Sequence, residues 1–449
     1  MNPTLFYLIA GACISFMIGR VAIPRIILIA KRKRIFDTPN PRKIHTQQIP
    51  RLGGVSFLPG MLIAYFLIRG IQCTIGGNGM PDVETIYQET IFYFFTGLIT
   101  IAAVGLWDDI IGLTYKYKLL VQLFVALLLV LPAGRIVNLE GIFGIYAIPD
   151  WMSTPLTVLI VMVVINAFNL IDGMDGLCSG LSIVTLLTLT VLLVHSDNPM
   201  LALLSASTVG VVAAFFRYNY FGKRLKVFMG DCGSLTLGYI TAFLLLQLAS
   251  ANNGTGNSQL TLVTLMSIIF IPLFDTTRLF IQRICLGHSP FCPDKNHIHH
   301  KFLQIGCSQR QSFWLILCIQ IVYIIANFLL APIVNINVLL FVDILSALAL
   351  IFFLDSKKSR EKSQRFAERK KESNQNSQIK SDQAESGQAH PPFYRIQNAL
   401  IQCINSYRHS TNRRIKARET AGKQRGDGST GFPQTGPVSF KYGMNRSAV

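Results

Sequence analysis

Charged residues are scarce in this sequence, and that scarcity narrows the class of protein. They make up 14% of the 449 residues, whereas a soluble globular domain carries roughly 25%. Hydrophobic residue types supply 51% of the chain and the mean hydropathy is +0.43, which excludes a disordered or fibrous chain as well. The composition therefore indicates a protein that lies largely within a membrane.

Cysteine patterns that bind metal are absent from the sequence, and so are internal repeats. The nine cysteines form no Cys-x-x-Cys pair and no spacing typical of a zinc site. We expect free thiols, because most cysteines lie in apolar segments or in loops assigned below to the reducing cytoplasm. Repeats of the kind found in transporter folds are not visible.

The charge that is present lies in blocks. The net charge is +18, of which +11 belongs to residues 355–449, where 19 Lys and Arg stand against 8 Asp and Glu. That segment lacks apolar periodicity and is rich in Gln, Ser and Gly, as disordered segments are. We therefore predict a transmembrane domain at residues 1–354 and a basic, mostly disordered cytoplasmic tail at residues 355–449.

Hydropathy predicts an all-α, polytopic membrane protein of about eleven transmembrane helices, most of them close to the roughly 20 apolar residues that cross the hydrocarbon core. The predicted spans lie near residues 4–29, 53–70, 88–107, 118–134, 152–169, 181–195, 201–217, 234–250, 260–280, 313–332 and 334–354.

Basic residues predict the orientation of these spans. Seventeen Lys and Arg fall on one side, in the loops at 30–52, 108–117, 170–180, 217–233 and 281–312 together with Lys118, and one, Arg135, falls on the other. The N-terminus is then outside and the C-terminus cytoplasmic. The basic excess is thus a topology signal, and we expect no nucleic-acid partner.

A pair of acidic residues ends the third span on the cytoplasmic side. Asp108 and Asp109 are adjacent there, and neighbouring carboxylates near lipid need a cation, a basic partner or a raised pKa. They suit a metal site or a base for a substrate phosphate, although acidic pairs also occur at ordinary helix ends.

The fifth span ends in a second polar motif. Asn and Asp side chains recur every three residues and are followed by a Gly-rich turn: Asn166, Asn169, Asp172, Gly173, Asp175 and Gly176. A helix cap needs only one such residue, so we favour a functional site. Carboxylate and amide oxygens are hard ligands that suit Mg²⁺.

The loop before the eighth span forms a third motif, which contains Phe228, Gly230, Asp231, Gly233 and Ser234. Gly-Asp-x-Gly-Ser at the start of a helix offers backbone N–H groups to a phosphate, and by itself it fits an ordinary N-cap equally well. Its cytoplasmic location beside the other two motifs favours function.

Two further cytoplasmic loops are basic. Three of the eight histidines, His297, His299 and His300, fall within four residues. No cysteine or carboxylate has zinc spacing to them, so hydrogen bonds to diphosphate or sugar oxygens are the favoured role. The first loop carries Lys43 at headgroup depth, where a lipid phosphate would lie.

Carboxylates, amide oxygens, a Gly-rich turn and basic loops on one side predict Mg²⁺-assisted phosphoryl transfer, by a membrane enzyme that joins a cytosolic phosphate compound to a lipid. A transporter or scaffold is the alternative of a different class. Transporter sites lie near the membrane midplane, and Asp343, in the middle of the last span, is the one residue that suits a transporter better.

These motifs, in this order over roughly residues 1–355, resemble the polyprenyl-phosphate N-acetylhexosamine-1-phosphate transferases of glycosyltransferase family 4. The resemblance implies an enzyme of the bacterial inner membrane, surrounded by lipid and with its active site facing the cytoplasm. It would transfer a sugar 1-phosphate from a UDP-N-acetylhexosamine to undecaprenyl phosphate, release UMP and use Mg²⁺, with Mn²⁺ as the alternative. A homodimer is a candidate assembly.

The histidine motif distinguishes branches of that family. His-Ile-His-His resembles the branch that uses UDP-N-acetylglucosamine to start a cell-envelope polysaccharide. The alternative is the phospho-MurNAc-pentapeptide transferase of peptidoglycan synthesis, whose branch has three consecutive histidines. At position 112, where many members carry a third acidic residue, this chain has Gly112.

The resemblance also implies a role for each candidate residue. Asp108 and Asp109 would be catalytic, with Asp108 as the base for the lipid phosphate, and Asn169 and Asp231 would bind the metal. The implied nucleotide-sugar residues are Asp172, Asp175, Phe228, His297, His299 and His300, and the implied lipid-phosphate residue is Lys43. We expect direct attack by the lipid phosphate, with a covalent phospho-aspartate as the alternative.

Overall fold

A computed structural model describes residues 3–36, 49–75, 85–252, 260–290 and 296–359. These residues belong to one compact unit, Met1–Ser363. Lys43 lies outside the described residues, as does almost all of the predicted disordered tail.

The described chain is almost entirely helical, which confirms the all-α, polytopic fold. Its helices are α1 (Pro3–Lys33), α2 (Phe57–Ile75), α3 (Thr85–Ile111), α4 (Tyr115–Ala133), α5 (Asp150–Ile171), α6 (Leu177–His195), α7 (Pro199–Tyr220), α8 (Gly230–Asn252), α9 (Leu262–Ser267), α10 (Phe270–Cys285), α11 (Ile298–Gln304), α12 (Gln309–Leu330) and α13 (Ile336–Ser359). A 3₁₀ turn at Gly53–Ser56 precedes α2. The antiparallel strands β1 (Asn138–Ile142) and β2 (Ile145–Ala147) form a small hairpin between α4 and α5.

Within the described ranges, ten helices are long and apolar enough to cross a membrane, one fewer than predicted. The predicted span at 260–280 is divided into α9 and α10, and the 16 residues of α10 rise only about 24 Å. Gln320 of α12 satisfies the backbone at the break: its amide donates to the carbonyls of Ser267 (2.8 Å) and Ile268 (3.0 Å) and accepts from the N–H of Ile271 (2.9 Å). A break within apolar surroundings is tolerated when its polar groups are paired in this way.

Helix α8 lies at the centre of the bundle. Of the residues in its most apolar stretch, 94% are buried. The helix packs against α3 and α5. Gly105 lets α3 approach closely, because a Cβ there would lie 2.6 Å from the Cα of Cys232. Gly54 of the 3₁₀ turn lies directly against Gly233. The start of α8 is therefore surrounded by backbone, and the polar motifs of α3, α5 and α8 meet at this end of the bundle.

Candidate active site

The two adjacent aspartates at the end of α3 have different partners. Both carboxylate oxygens of Asp109 accept backbone N–H groups from the first turn of α8, from Asp231 at 2.8 Å and from Cys232 at 3.0 Å. Gly230, with φ of +75°, leads the chain into this turn, and any Cβ on it would meet the carboxylate of Asp109. Asp109 thus caps α8 from outside and fixes its position.

Asp108 faces the cationic side chain of Lys118, in the first turn of α4. The Lys118 ammonium lies 2.6 Å from Oδ2 of Asp108 and also pairs with Asp231. From the sequence, Lys118 is predicted only to mark the cytoplasmic side, because a lysine at the end of an apolar span ordinarily extends to the membrane interface. One ammonium between two carboxylates neutralises part of their charge.

The turn between α3 and α4 explains the glycine at position 112. Gly112 has φ of +80°, a conformation that other residues rarely adopt. Its N–H donates to the carbonyl of Asp108 at 2.8 Å, and the N–H of Leu113 donates to Oδ1 of Asp108 at 2.6 Å. An acidic residue at position 112 would strain the turn that holds Asp108.

The polar end of α5 faces the first turns of α8. Asn169 donates to the hydroxyl of Ser234 at 2.9 Å, one turn beyond Asp231 on α8. Asp172 is removed from most of the solvent, and this desolvation, followed by the negative charges of Asp231 and Asp109, raises the pKa of Asp172 well above its usual range. The four acidic side chains of α3, α5 and α8 therefore interact electrostatically.

Asn219 at the end of α7 positions the Gly-rich turn after α5. Its side chain accepts the N–H of Gly176 at 2.5 Å and donates to the carbonyl of Val227 at 2.9 Å. Asp175 in the same turn pairs with Lys226 at 2.5 Å. Sequence reasoning missed Asn219, because a single Asn at a helix end is an ordinary feature.

The loop before α8 is paired with the loop before α2. The N–H of Phe228 donates to the carbonyl of Pro50 at 2.8 Å, and the carbonyl of Phe228 accepts the N–H of Gly53 at 3.0 Å. Gly54 continues the pairing by donating to Met229 at 2.8 Å. The half-buried Phe228 ring is thereby held two residues before Gly230 at the start of α8.

One residue of the histidine motif, His299, contacts the turn between α5 and α6. His299 is buried and lies against Gly173, where a Cβ would be 2.5 Å from its Nε2. Burial, followed by the nearby His300 and His297, lowers the pKa of His299 to about 3, so its imidazole is neutral. The ring of His297 stacks on that of His299, with centroids 5.7 Å apart, and the ring of His300 contacts it at an angle, with centroids 4.3 Å apart. These three side chains form the histidine cluster.

Asp275 of α10 contacts the histidine cluster through His297, and sequence reasoning missed it too. It accepts from the ring Nδ1 of His297 at 2.9 Å, from the N–H of Ile298 at 3.0 Å and from Arg278 at 2.8 Å. The sequence did contain a signal, since Asp275 and Arg278 are ionisable residues within a predicted span.

The donor set suits a magnesium ion. Asn169 and Asp231 could supply oxygen ligands from helices that touch at Ser234, and Asp108 and Asp172 add negative charge nearby. Among the described residues, no three His, Cys, Asp or Glu side chains already surround a common point. Mg²⁺ in proteins usually takes one or two carboxylates and completes its shell with water and substrate phosphates, so Asn169 and Asp231 fit that pattern.

Comparison with known proteins shows the family of this chain. Residues 91–249 match the model of glycosyl transferase family 4. The chain is 30% identical over 345 residues, 74% of this chain and 87% of the relative, to a probable undecaprenyl-phosphate N-acetylglucosaminyl 1-phosphate transferase of Bacillus subtilis strain 168. It is 31% identical, over 70% of this chain and 80% of the relative, to the undecaprenyl-phosphate alpha-N-acetylglucosaminyl 1-phosphate transferase of Yersinia pestis. The chain therefore belongs to glycosyl transferase family 4.

Proposed function

We propose that the protein transfers N-acetylglucosamine 1-phosphate from UDP-N-acetylglucosamine to undecaprenyl phosphate and releases UMP, as the first step of a cell-envelope polysaccharide. The observation that carries this proposal is the cluster of Asp108, Asp172, Asp231 and Lys118 at one end of a transmembrane bundle, with Asp109 fixing α8. The names of the two relatives support the same donor group and acceptor.

The cytoplasmic face of the bacterial inner membrane is the proposed location of the site. Seventeen of the eighteen loop Lys and Arg residues fall on the side of these motifs, and basic loops stay in the cytoplasm. UDP-sugars are cytosolic, whereas the lipid acceptor lies in the bilayer. A site at the end of the spans is accessible to both.

Each side chain of the site has a separate role in the proposed transfer. Asp108 takes the proton of the lipid phosphate if one is present, and Lys118 beside it attracts that phosphate. A lipid phosphate oxygen then attacks the sugar-bearing phosphorus, and the bond from that phosphorus to the bridging oxygen breaks, so that its electron pair leaves with UMP. Mg²⁺, bound through Asn169 and Asp231, would neutralise charge on the diphosphate. Phe228, Asp172 and Asp175 would line the nucleotide site, and Lys43 remains proposed for the lipid phosphate.

The contacts of the aspartates favour this direct attack over a phospho-aspartate. Both oxygens of Asp109 accept backbone hydrogen bonds. Asp108 accepts from Leu113 on one oxygen and pairs with Lys118 on the other. A carboxylate oxygen that is already bonded in this way is a weaker nucleophile, because its charge is stabilised before the reaction begins.

The alternatives lack comparable support. Asp343, the residue that suited a transporter, accepts a hydrogen bond from Asn327 at 2.9 Å and so joins α13 to α12. Polar pairs between spans commonly hold membrane helices together. The peptidoglycan branch is disfavoured by the single isoleucine that interrupts the histidines.

The proposal is tested by the release of UMP from UDP-N-acetylglucosamine by the purified full-length protein in detergent. Release is expected only when undecaprenyl phosphate and Mg²⁺ are both present. Asp231→Ala should abolish it, whereas Asp343→Asn, a change of another buried aspartate, should not. Release that does not depend on undecaprenyl phosphate would contradict the proposed acceptor, and Asp231→Ala activity at saturating Mg²⁺ would contradict the metal role.

A further inference from the structure

The three rings of the histidine cluster contact one another in sequence and connect two parts of the fold. His299 stacks on His297, with 16° between the ring planes, and contacts His300 at a tilt of 41°. It also lies against Gly173, in the turn that carries Asp172 and Asp175. Any displacement of the histidine cluster would therefore move the imidazoles relative to the acidic turn.

Asp275 of α10 anchors the histidine cluster through His297. The side chain is 1% exposed, and its two oxygens are divided between different partners. Oδ2 lies 2.9 Å from Nδ1 of His297, while Oδ1 accepts from the N–H of Ile298 and from Arg278. Arg278 also donates to the carbonyl of Asn296 at 2.9 Å. The start of α11 is thus tied to α10 through side chain and backbone together.

The chemistry of a carboxylate decides what this contact does to His297. An ionised carboxylate only accepts hydrogen bonds, and Asp275 forms an ion pair with Arg278 at 2.8 Å. Nδ1 of His297 must then carry a proton, and Nε2 is the atom left for another partner. A hydrogen bond on one ring nitrogen commonly fixes the tautomer and the direction of the other.

We propose that Asp275 is a positioning residue that acts through His297, fixing the histidine cluster so that it binds the diphosphate of the nucleotide donor. This inference rests on the proposed function for the identity of the donor. Arg278 alone would balance the charge of Asp275 and hold it in the fold. The separate use of Oδ2 for His297 is what indicates a role in orienting the ring.

Asp275→Asn tests the orientation with almost no change of shape. The Asn carbonyl would still accept from Ile298, whereas its NH₂ would face Nδ1 of His297 and force the proton to Nε2. UDP binding to the purified full-length protein is the probe, measured by titration calorimetry. We expect the Kd for UDP to rise at least about tenfold, as for a lost hydrogen bond to a charged group. Asp343→Asn is the matched control and should bind UDP as the wild type does.

A second variant separates an action through His297 from a general loss of structure. His297→Gln leaves the contacts of Asp275 with Ile298 and Arg278 in place, and it should also weaken UDP binding. The double variant should bind UDP no more weakly than His297→Gln alone, because both changes remove the same interaction. In the transfer assay, Asp275→Asn should raise KM for the UDP-sugar and leave KM for undecaprenyl phosphate unchanged.

The possible results distinguish the proposed role of Asp275 from the proposed transferase activity. Wild-type UDP affinity in either single variant, or losses that multiply in the double variant, would overturn the role of Asp275. Wild-type protein that binds UDP but forms no lipid product would refute the transferase proposal, and the UDP titrations would still decide the role of Asp275.

Discussion

Oδ1 of Asp109 accepts the backbone N–H of Asp231 at 2.8 Å, across the contact between α3 and α8. Asp109 and Asp231 both stand out as acidic residues in the sequence. In the structure, Asp109 is the cap of α8 and Asp231 is one of the residues whose N–H it accepts. Asp109 fixes the position at which α8 begins. Because Asp231 lies in the first turn of α8, the same contact also fixes the position of Asp231. The neighbouring Asp108 does not cap α8; it pairs with Lys118 instead.

The two adjacent aspartates should differ in their effect on stability. Asp109→Asn would direct an NH₂ group at one of the two N–H donors of α8, at a cost of about 1–3 kcal/mol. We expect its unfolding temperature in detergent, followed by tryptophan fluorescence, to fall by several degrees. Asp108→Asn should lose transfer activity with a much smaller fall. Equal unfolding temperatures for the two variants would contradict the capping role.

Gly105 should be required for the contact between α3 and α8. Gly105→Ala places a Cβ 2.6 Å from the Cα of Cys232 and 2.8 Å from the carbonyl of Asp231, so the helices must separate and both activity and stability should fall. Gly70→Ala in α2 is the control, because nothing lies within 4 Å of its Cβ. That change should be neutral or stabilise by up to about 1 kcal/mol. A fully active Gly105→Ala protein would contradict the close approach.

Asn219 should be structurally essential although it carries no chemistry. Asn219→Ala leaves the N–H of Gly176 and the carbonyl of Val227 without this partner, at about 1–3 kcal/mol for each buried group. We expect a lower unfolding temperature and a higher KM for the UDP-sugar, since the turn with Asp175 loses its support. Wild-type values of both quantities would show that other contacts hold the turn.

The stability of the protein should decrease in acid partly through His299. Its folded-state pKa of about 3 lies below the ordinary value of 6.5, so below pH 6.5 the unfolded chain binds a proton that the folded protein excludes. This contribution is fully present above pH 6.5 and is lost as the pH falls towards 3, by about 2 kcal/mol between pH 7.5 and pH 5. His299→Gln should therefore lose less stability than the wild type over that interval, as measured by thermal unfolding at both pH values. Parallel losses would contradict the burial of a neutral His299.

Sequence reasoning succeeded where one segment alone determines the outcome. The spans follow from the length of apolar runs, since a membrane selects for length and hydropathy. The end of α3 and the turn after α5 stand out because several polar residues occur together next to apolar helices. For the same reason the acidic pair, the Asn-rich end of α5 and the start of α8 could be predicted to lie together.

What sequence reasoning missed depends on partners far along the chain. The break between α9 and α10 is stabilised by Gln320, a side chain of another helix. Asp275 looks like an isolated charge in an apolar run, because its partner His297 lies 22 residues further on. The division of roles between Asp108 and Asp109 depends on the approach of α8, and two adjacent letters in the sequence do not distinguish them.

The transfer itself is tested most directly with UDP-N-acetylglucosamine that carries one label on the sugar and a second on the phosphorus attached to it. The purified protein is incubated with this donor, undecaprenyl phosphate and Mg²⁺, and the lipid is extracted. We predict that both labels appear in the lipid in equimolar amounts, with one unlabelled UMP released for each. Sugar label in the lipid without the phosphorus label, or no label in the lipid at all, would contradict the transfer of a sugar 1-phosphate.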